Sequence, residues 1–102
     1  MDDLVWTLAA ENDVQAIYER LELREDGAGD LFYDEILKTV RLLQRFPLLG
    51  PGLEHRRLRR VLVYNRNYGL FYVSESRGVV LHALLDLRQA PEMIKRRLNE
   101  LP

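Results

Sequence analysis

The sequence predicts an α+β fold, in which two N-terminal helices pack on a four-stranded antiparallel sheet and a short helix follows at the C-terminal end. The first half of the chain repeats its apolar residues with the helical period. The second half contains strand-length runs rich in Val, Tyr and Phe. The 102 residues, of which 47% are apolar and 30% charged, suit one globular domain over residues 1–102.

The first strand and the first helix are predicted near the N-terminus. Leu4 to Leu8 alternate between two sets of side chains, which is typical of a short strand. The stretch AAENDVQAIYERLELRED then carries an amphipathic stripe at helical spacing, formed by Val14, Ile17, Tyr18 and Leu21. The glycines of residues 26–29 are expected to end this helix.

A second helix is predicted over about residues 30–45. Its apolar face consists of Phe32, Ile36, Val40 and Leu43. Pro47 disfavours helical geometry at the residue before it, so the helix is expected to end there. The segment PLLGPG, residues 47–52, is expected to form a loop.

Three strands are predicted in the second half, over about residues 57–64, 68–74 and 79–85. Asparagines in the turn between the first two tolerate left-handed backbone geometry. Pro91 is expected to open a last helix, since proline is tolerated in a first helical turn. The strand Leu4–Leu8 is expected to add to these three strands.

Charge is distributed unevenly along the chain. The net charge of −1 combines twelve acids and five bases in residues 1–54 with four acids and ten bases in residues 55–102. A general polyanion binder is usually basic overall, so this pattern favours a local basic site.

Several kinds of chemistry have no support in the sequence. The absence of cysteine excludes disulfides and thiolate chemistry, and a cytoplasmic location is the simplest expectation. No run of 18 apolar residues exists, so no membrane partner is expected. His55 and His82 lack metal-ligand spacing, and no metal or other cofactor is expected.

Ordered stretches of the chain resemble one family. They are AAENDVQAIYERL, a helix ending in RFPLLG, then LRRVLVYNRNYGLFYV and VVLHALLDLRQAP. In this β-α-α-β-β-β order they are similar to the RelE/ParE toxin superfamily, over about residues 4–98. These are toxins of type II toxin–antitoxin modules, also known as plasmid stabilisation proteins.

The resemblance implies one of two activities. RelE-like members cut mRNA on the ribosome, whereas ParE-like members are associated with poisoning of DNA gyrase. RelE-like members commonly carry an arginine where this chain has Gly69, and a tyrosine or histidine in the C-terminal segment, where PEMIKRRLNELP has neither. Arg88, in LDLRQAP, matches a position where the superfamily often has arginine and is the single catalytic candidate. The resemblance is therefore closer to the ParE-like branch.

The candidate partner- or phosphate-binding residues are Arg57, Arg59, Arg60, Arg66, Tyr72, His82 and Arg88. Arginine pairs well with phosphates and carboxylates, but arginines at the start of a strand also protect a sheet edge. Tyr72 could stack on a base or pack across strands. His82 is expected to be a hydrogen-bonded histidine on a strand face more readily than a catalytic one. The cations at residues 95–97 are expected to lie at a solvated helix end.

The expected function is a growth-inhibiting toxin that targets DNA gyrase and is neutralised by a cognate antitoxin. The antitoxin is expected to cover an open apolar face of the sheet near the C-terminal tail, with its acids meeting the arginines at 56–60. Operator DNA is expected to be contacted only through the antitoxin. The alternatives are a ribosome-dependent mRNA endoribonuclease and a non-toxic relic that still binds its antitoxin.

Overall fold

Two helices lie on one face of a four-stranded sheet and a third helix lies on the other, in the computed structural model, which describes residues 3–102. The elements in chain order are β1 (Asp3–Trp6), α1 (Leu8–Arg24), α2 (Ala28–Arg45), β2 (Leu58–Val63), β3 (Tyr68–Glu75), β4 (Gly78–Asp86) and α3 (Pro91–Asn99). The predicted α+β class and order of elements are confirmed.

The start of α1 differs from the prediction. Thr7 is its N-cap, and the threonine hydroxyl accepts a hydrogen bond from the backbone N–H of Ala10 at 3.1 Å. This bond satisfies one of the amide groups that a helix leaves unpaired at its first turn. Leu8 therefore belongs to the helix and not to the first strand, and its side chain is exposed.

The sheet is mixed, whereas a purely antiparallel sheet was predicted. Its strand order is β1-β4-β3-β2, and β2, β3 and β4 are antiparallel neighbours. β1 runs parallel to β4, with Leu4 opposite Val79 and Trp6 opposite Leu81. Short turns force the antiparallel pairs, but no turn joins β1 to β4, so local sequence did not fix their relative direction.

The main core lies between α1, α2 and the sheet. Phe32 and Ile36 of α2 are fully buried there against Leu70, Tyr72 and Leu81 of the sheet. Phe32 and Ile36 belong to the apolar stripe that predicted α2, and most of the α1 stripe is buried in the same core.

The opposite face of the sheet is also covered. Its buried residues are Leu58, Phe71, Val73, Ala83 and Leu85, and they pack under Leu53, Leu87, Ile94, Leu98 and Leu101. The expectation of an open apolar face near the C-terminal tail is therefore wrong, because α3 and the residues after it occupy that face.

Polar contacts attach α3 to the rest of the fold. Arg97 donates to both carboxylate oxygens of Asp13 on α1, at 2.9 and 2.7 Å. The same carboxylate accepts the backbone N–H of Leu84 at 3.0 Å, on the part of β4 that extends beyond β1. Arg97 is thus a structural anchor, and its expected place at a solvated helix end is wrong.

Candidate partner-binding site

Arg88, the single catalytic candidate, belongs to a group of side chains at the end of β4. Its Nε and Nη2 donate to the two carboxylate oxygens of Asp86 at 2.9 and 3.0 Å. Nη2 also donates to the Tyr68 hydroxyl at 3.1 Å, and the guanidinium lies 5.4 Å from the centre of the Tyr68 ring. The hydrogen bond from Arg88 holds the pKa of Asp86 below its ordinary value, although partial burial opposes the shift.

Asp86 is the one anion of this group, and two cations share it. Arg20 of α1 adds a second cation 3.9 Å from Asp86. No hydrogen bond or ion pair among residues 3–102 joins the group to His82 or to the arginines of β2. Arg88 is half exposed and can meet an anion at the surface, whereas the carboxylate beside it, Asp86, is already bound to the guanidinium.

The position where RelE-like members have an arginine is filled in another way. A Cβ atom at Gly69 would lie 3.0 Å from the Phe71 ring, 3.2 Å from Cδ of Arg60 and 3.3 Å from Leu87. The stem of Arg60 therefore crosses the sheet beside Gly69. A side chain at residue 69 would require these neighbouring side chains to shift slightly, so glycine fits this position more freely than arginine would.

Two of the arginines near β2 make structural contacts. Arg56 donates through Nη2 to the carbonyl oxygens of Leu98 and Leu101, both at 2.5 Å. Arg59 donates through Nη1 to the carbonyl oxygen of Gly50 at 2.8 Å and to that of Leu48 at 3.4 Å. These contacts fix the C-terminal tail and the loop before β2, so the basic run is not one continuous binding patch.

The other three arginines are exposed. Arg57 precedes β2, Arg60 lies on the edge strand itself, and Arg66 lies in the hairpin turn with a positive φ of 64°. No side-chain hydrogen bond or ion pair neutralises them within the described part of the chain. They remain candidates for contact with an acidic partner.

Tyr72 is fully buried, so it does not present a ring for stacking. Its hydroxyl accepts the backbone N–H of Gly50 at 2.8 Å. Burial raises the pKa of Tyr72, although the hydrogen bond from Gly50 and the charge of Arg59 oppose the shift. The residue therefore supports the loop before β2.

His82 lies at an irregularity in the sheet. Tyr72 pairs with Leu81 and Phe71 pairs with Ala83, which makes His82 the extra residue of a β-bulge. Its Nε2 is buried and has no hydrogen-bond partner among the described residues, so the expectation of a hydrogen-bonded side chain is wrong for this atom. Burial lowers the pKa of His82, although the charge of Glu75 opposes the shift.

Sequence reasoning missed a groove between α1 and α2. It has a volume of about 370 Å³ and is lined by Val14, Gln15, Tyr18, Asp30 and Tyr33. The Tyr18 hydroxyl donates to Asp30 at 2.6 Å, and this bond is the main reason that the pKa of Tyr18 rises to about 12. The available signal was Tyr18 within the predicted α1 stripe, together with Tyr33 on α2.

Two kinds of feature are absent from residues 3–102. None of their helices is both long and apolar enough to cross a membrane. Their His, Asp and Glu side chains form no group of three or more that could hold a metal ion.

The family model described as ParE toxin of type II toxin-antitoxin system, parDE, matches residues 4–96 of this chain. The chain belongs to the ParE toxin family. The resemblance to the RelE/ParE superfamily, and its closer likeness to the ParE-like branch, are therefore confirmed.

A solved structure supports the same fold. The chain is similar to a protein from the chromosomal ParDE TA system from P. aeruginosa, with a TM-score of 0.73 and 19% sequence identity. The match covers 85% of this chain and 97% of the other. At this identity the likeness shows the shared fold alone. The chain has no match among curated protein sequences.

Proposed function

We propose that this ParE family toxin inhibits DNA gyrase in the cytoplasm and is neutralised by a cognate antitoxin, through which operator DNA is bound. The observation that carries the proposal is the match of the ParE toxin family to residues 4–96. The P. aeruginosa structure, named as part of a ParDE system, supports an antitoxin partner for this chain by likeness of fold.

The chemistry near Arg88 favours a protein target over RNA cleavage. Cleavage through a ribose 2′-hydroxyl needs groups that transfer protons, and such groups typically contribute about 10²–10⁴ in rate. Asp86 is already bound to Arg88 and its pKa lies below the ordinary value, so it is poorly suited to act as a base at neutral pH. Arg88 can contribute one cation to a contact with a partner protein.

Purified protein should inhibit supercoiling by gyrase, or trap its cleaved DNA, and leave ribosome-bound mRNA intact. Both readouts belong in one experiment, together with growth after induced expression, with and without the cognate antitoxin. Codon-positioned mRNA cuts with unaffected gyrase would replace this proposal by the endoribonuclease alternative. Antitoxin binding without growth arrest would indicate the non-toxic relic.

Arg88→Ala is expected to reduce gyrase inhibition by about tenfold or more, because it removes the exposed cation from the end of β4. Arg77→Ala is the matched control, since Arg77 is an exposed arginine at the β3–β4 turn whose ion pair with Asp3 spans 3.8 Å. Equal loss in the two variants would mean that overall charge, and not this position, governs inhibition. Thermal unfolding of both proteins checks that Arg88→Ala still folds.

A further inference from the structure

The end of α2 and the loop after it expose a group of large apolar side chains. The group consists of Leu42, Phe46, Leu48 and Leu49, whose exposed fractions are 43%, 50%, 65% and 50%. Leu42 and Phe46 are one helical turn apart, and the backbone N–H of Phe46 donates a hydrogen bond to the carbonyl oxygen of Leu42. Large apolar side chains concentrated in eight consecutive residues of a surface mark an interaction site more often than single exposed ones do.

The backbone that carries these side chains is held firmly. Gly50 donates its N–H to the buried hydroxyl of Tyr72, and Arg59 donates to the carbonyl oxygens of Gly50 and Leu48. A Cβ atom at Gly50 would lie only 2.7 Å from the carbonyl oxygen of Arg60, so the loop lies directly against β2. The apolar side chains thus point outward from a fixed loop, and their exposure does not depend on a loosely attached segment.

Cations border the apolar group. Lys38, Arg41 and Arg45 follow one another at helical spacings of three and four, and all three are exposed. The Arg45 guanidinium lies 5.5 Å from the centre of the Phe46 ring. Lys38 and Arg41 form no side-chain hydrogen bond or ion pair with the other described residues. The acids of α2 lie nearer its other end, at residues 30, 34 and 35.

We propose that these seven residues, here called the α2 exit surface, bind an acidic segment of the cognate antitoxin. Apolar side chains of that segment would cover Leu48 and Leu49, and its carboxylates would pair with Lys38 and Arg41. This inference rests on the proposed function and adds the location and chemistry of the antitoxin contact. It also gives Tyr72 and Arg59 a positioning role, because they hold the loop without touching the antitoxin.

The test measures the affinity of the purified antitoxin for the toxin carrying Leu48→Ser and Leu49→Ser together. Removing two exposed apolar contacts is expected to raise the Kd by at least about tenfold. Leu23→Ser with Leu31→Ser is the matched control, because these leucines are 89% and 67% exposed and lie near the α1–α2 turn. The control pair should change the Kd by less than about threefold, and both variants should keep the wild-type melting temperature within about 3 °C.

A second variant tests the charge. Lys38→Glu with Arg41→Glu should weaken binding by at least about tenfold at low salt and should reduce its dependence on salt. Lys95→Glu with Arg96→Glu is the control of equal charge change, on exposed positions of α3. A salt dependence equal to that of the wild type in the first variant would overturn the pairing with carboxylates.

Three results would overturn the assignment of the surface. If the Leu48→Ser, Leu49→Ser toxin binds the antitoxin with the same Kd as the wild-type toxin, the contact lies elsewhere. Loss of gyrase inhibition with unchanged antitoxin affinity would assign the surface to the target, and a change of oligomeric state alone would assign it to a second copy of the chain. If the wild-type protein binds no antitoxin, the proposed function itself fails. If the wild type binds and the variants bind equally well, only the assignment of the surface fails.

Discussion

The two faces of the sheet are covered by helices that are held in different ways. On the α1–α2 face each helix buries a stripe of side chains, and Phe32 and Ile36 are completely enclosed. On the other face α3 has no buried residue and packs through partly buried Ile94 and Leu98. Arginine contacts from Arg56 and Arg97 supply much of its attachment.

From this difference we expect one cover of the sheet to open more readily than the other. When a helix separates from the sheet, its buried apolar surface is exposed to water, which costs about 25 cal/mol per Å². A hydrogen bond from a charged group at a partly exposed site can be replaced by water at a small net cost. We therefore expect α3 to open at lower free energy than α1 and α2, and to do so without loss of the sheet.

The largest expected effect compares one residue from each face. Phe32→Ala should lower the free energy of unfolding by about 3–5 kcal/mol, because it leaves a cavity in the enclosed core. Leu98→Ala should lower it by less than about 2 kcal/mol, because Leu98 is only partly buried. Urea unfolding of the two variants and the wild type measures both values. Equal destabilisation would contradict the division into core and cover.

Much of the fold could be predicted because the periods of the apolar residues are clear. The direction of β1 could not, since its partner β4 lies more than 70 residues away along the chain and no turn joins them. The continuous apolar run of β3, GLFYV, was a signal that both faces of that strand are covered. The spacing of Ile94, Leu98 and Leu101 likewise indicated that α3 packs on the sheet.

Less of the candidate site could be predicted, since the composition of a segment does not show which partners its side chains reach. The sequence identified Arg59 as a cation, but only the fold places it beside the carbonyl oxygen of Gly50. Arg56 meets the C-terminal tail across more than 40 residues of chain. Arg57 and Arg60, from the same run, are left exposed. Long-range contacts of this kind decide which of several similar arginines is free to bind a partner.

A smaller effect is expected when the attachment of α3 is weakened without changing its apolar side chains. Arg56→Ala removes the donor to the carbonyl oxygens of Leu98 and Leu101. If this lowers the opening free energy of α3 by about 1–2 kcal/mol, amide exchange in α3 should accelerate by about 5–30-fold. Exchange in α1 and α2 should change much less, because their burial is untouched.

Arg57→Ala is the control for that measurement, since Arg57 is the next residue, is exposed, and makes no side-chain hydrogen bond or ion pair with other described residues. It should leave exchange in α3 within about twofold of the wild type. Equal acceleration in α1, α2 and α3 of the Arg56→Ala protein would mean that α3 opens only when the whole domain unfolds.

The smallest expected effect concerns Asp86, at the end of β4 where Arg20 and Arg88 both reach its carboxylate. The hydrogen bonds from Arg88 hold the pKa of Asp86 below the ordinary value of 3.8. Because the folded-state pKa is the lower one, the carboxylate stabilises the fold fully above about pH 3.8, and this contribution is lost as the pH falls through the folded-state pKa. Asp86→Asn should therefore lower the free energy of unfolding at pH 7.

The expected loss is below about 1 kcal/mol, since Arg88 is half exposed and its pair with Asp86 is screened by solvent. The difference between Asp86→Asn and the wild type should shrink as urea unfolding is repeated at decreasing pH below 3.8, where the wild-type carboxylate becomes protonated. Asp34→Asn is the control, because Asp34 is exposed and forms no ion pair within residues 3–102. The contrary result is a free energy of unfolding for Asp86→Asn that differs from that of the wild type by the same amount at every pH. That result would show that the amide disturbs packing at the end of β4 and that the charge of Asp86 does not stabilise the fold.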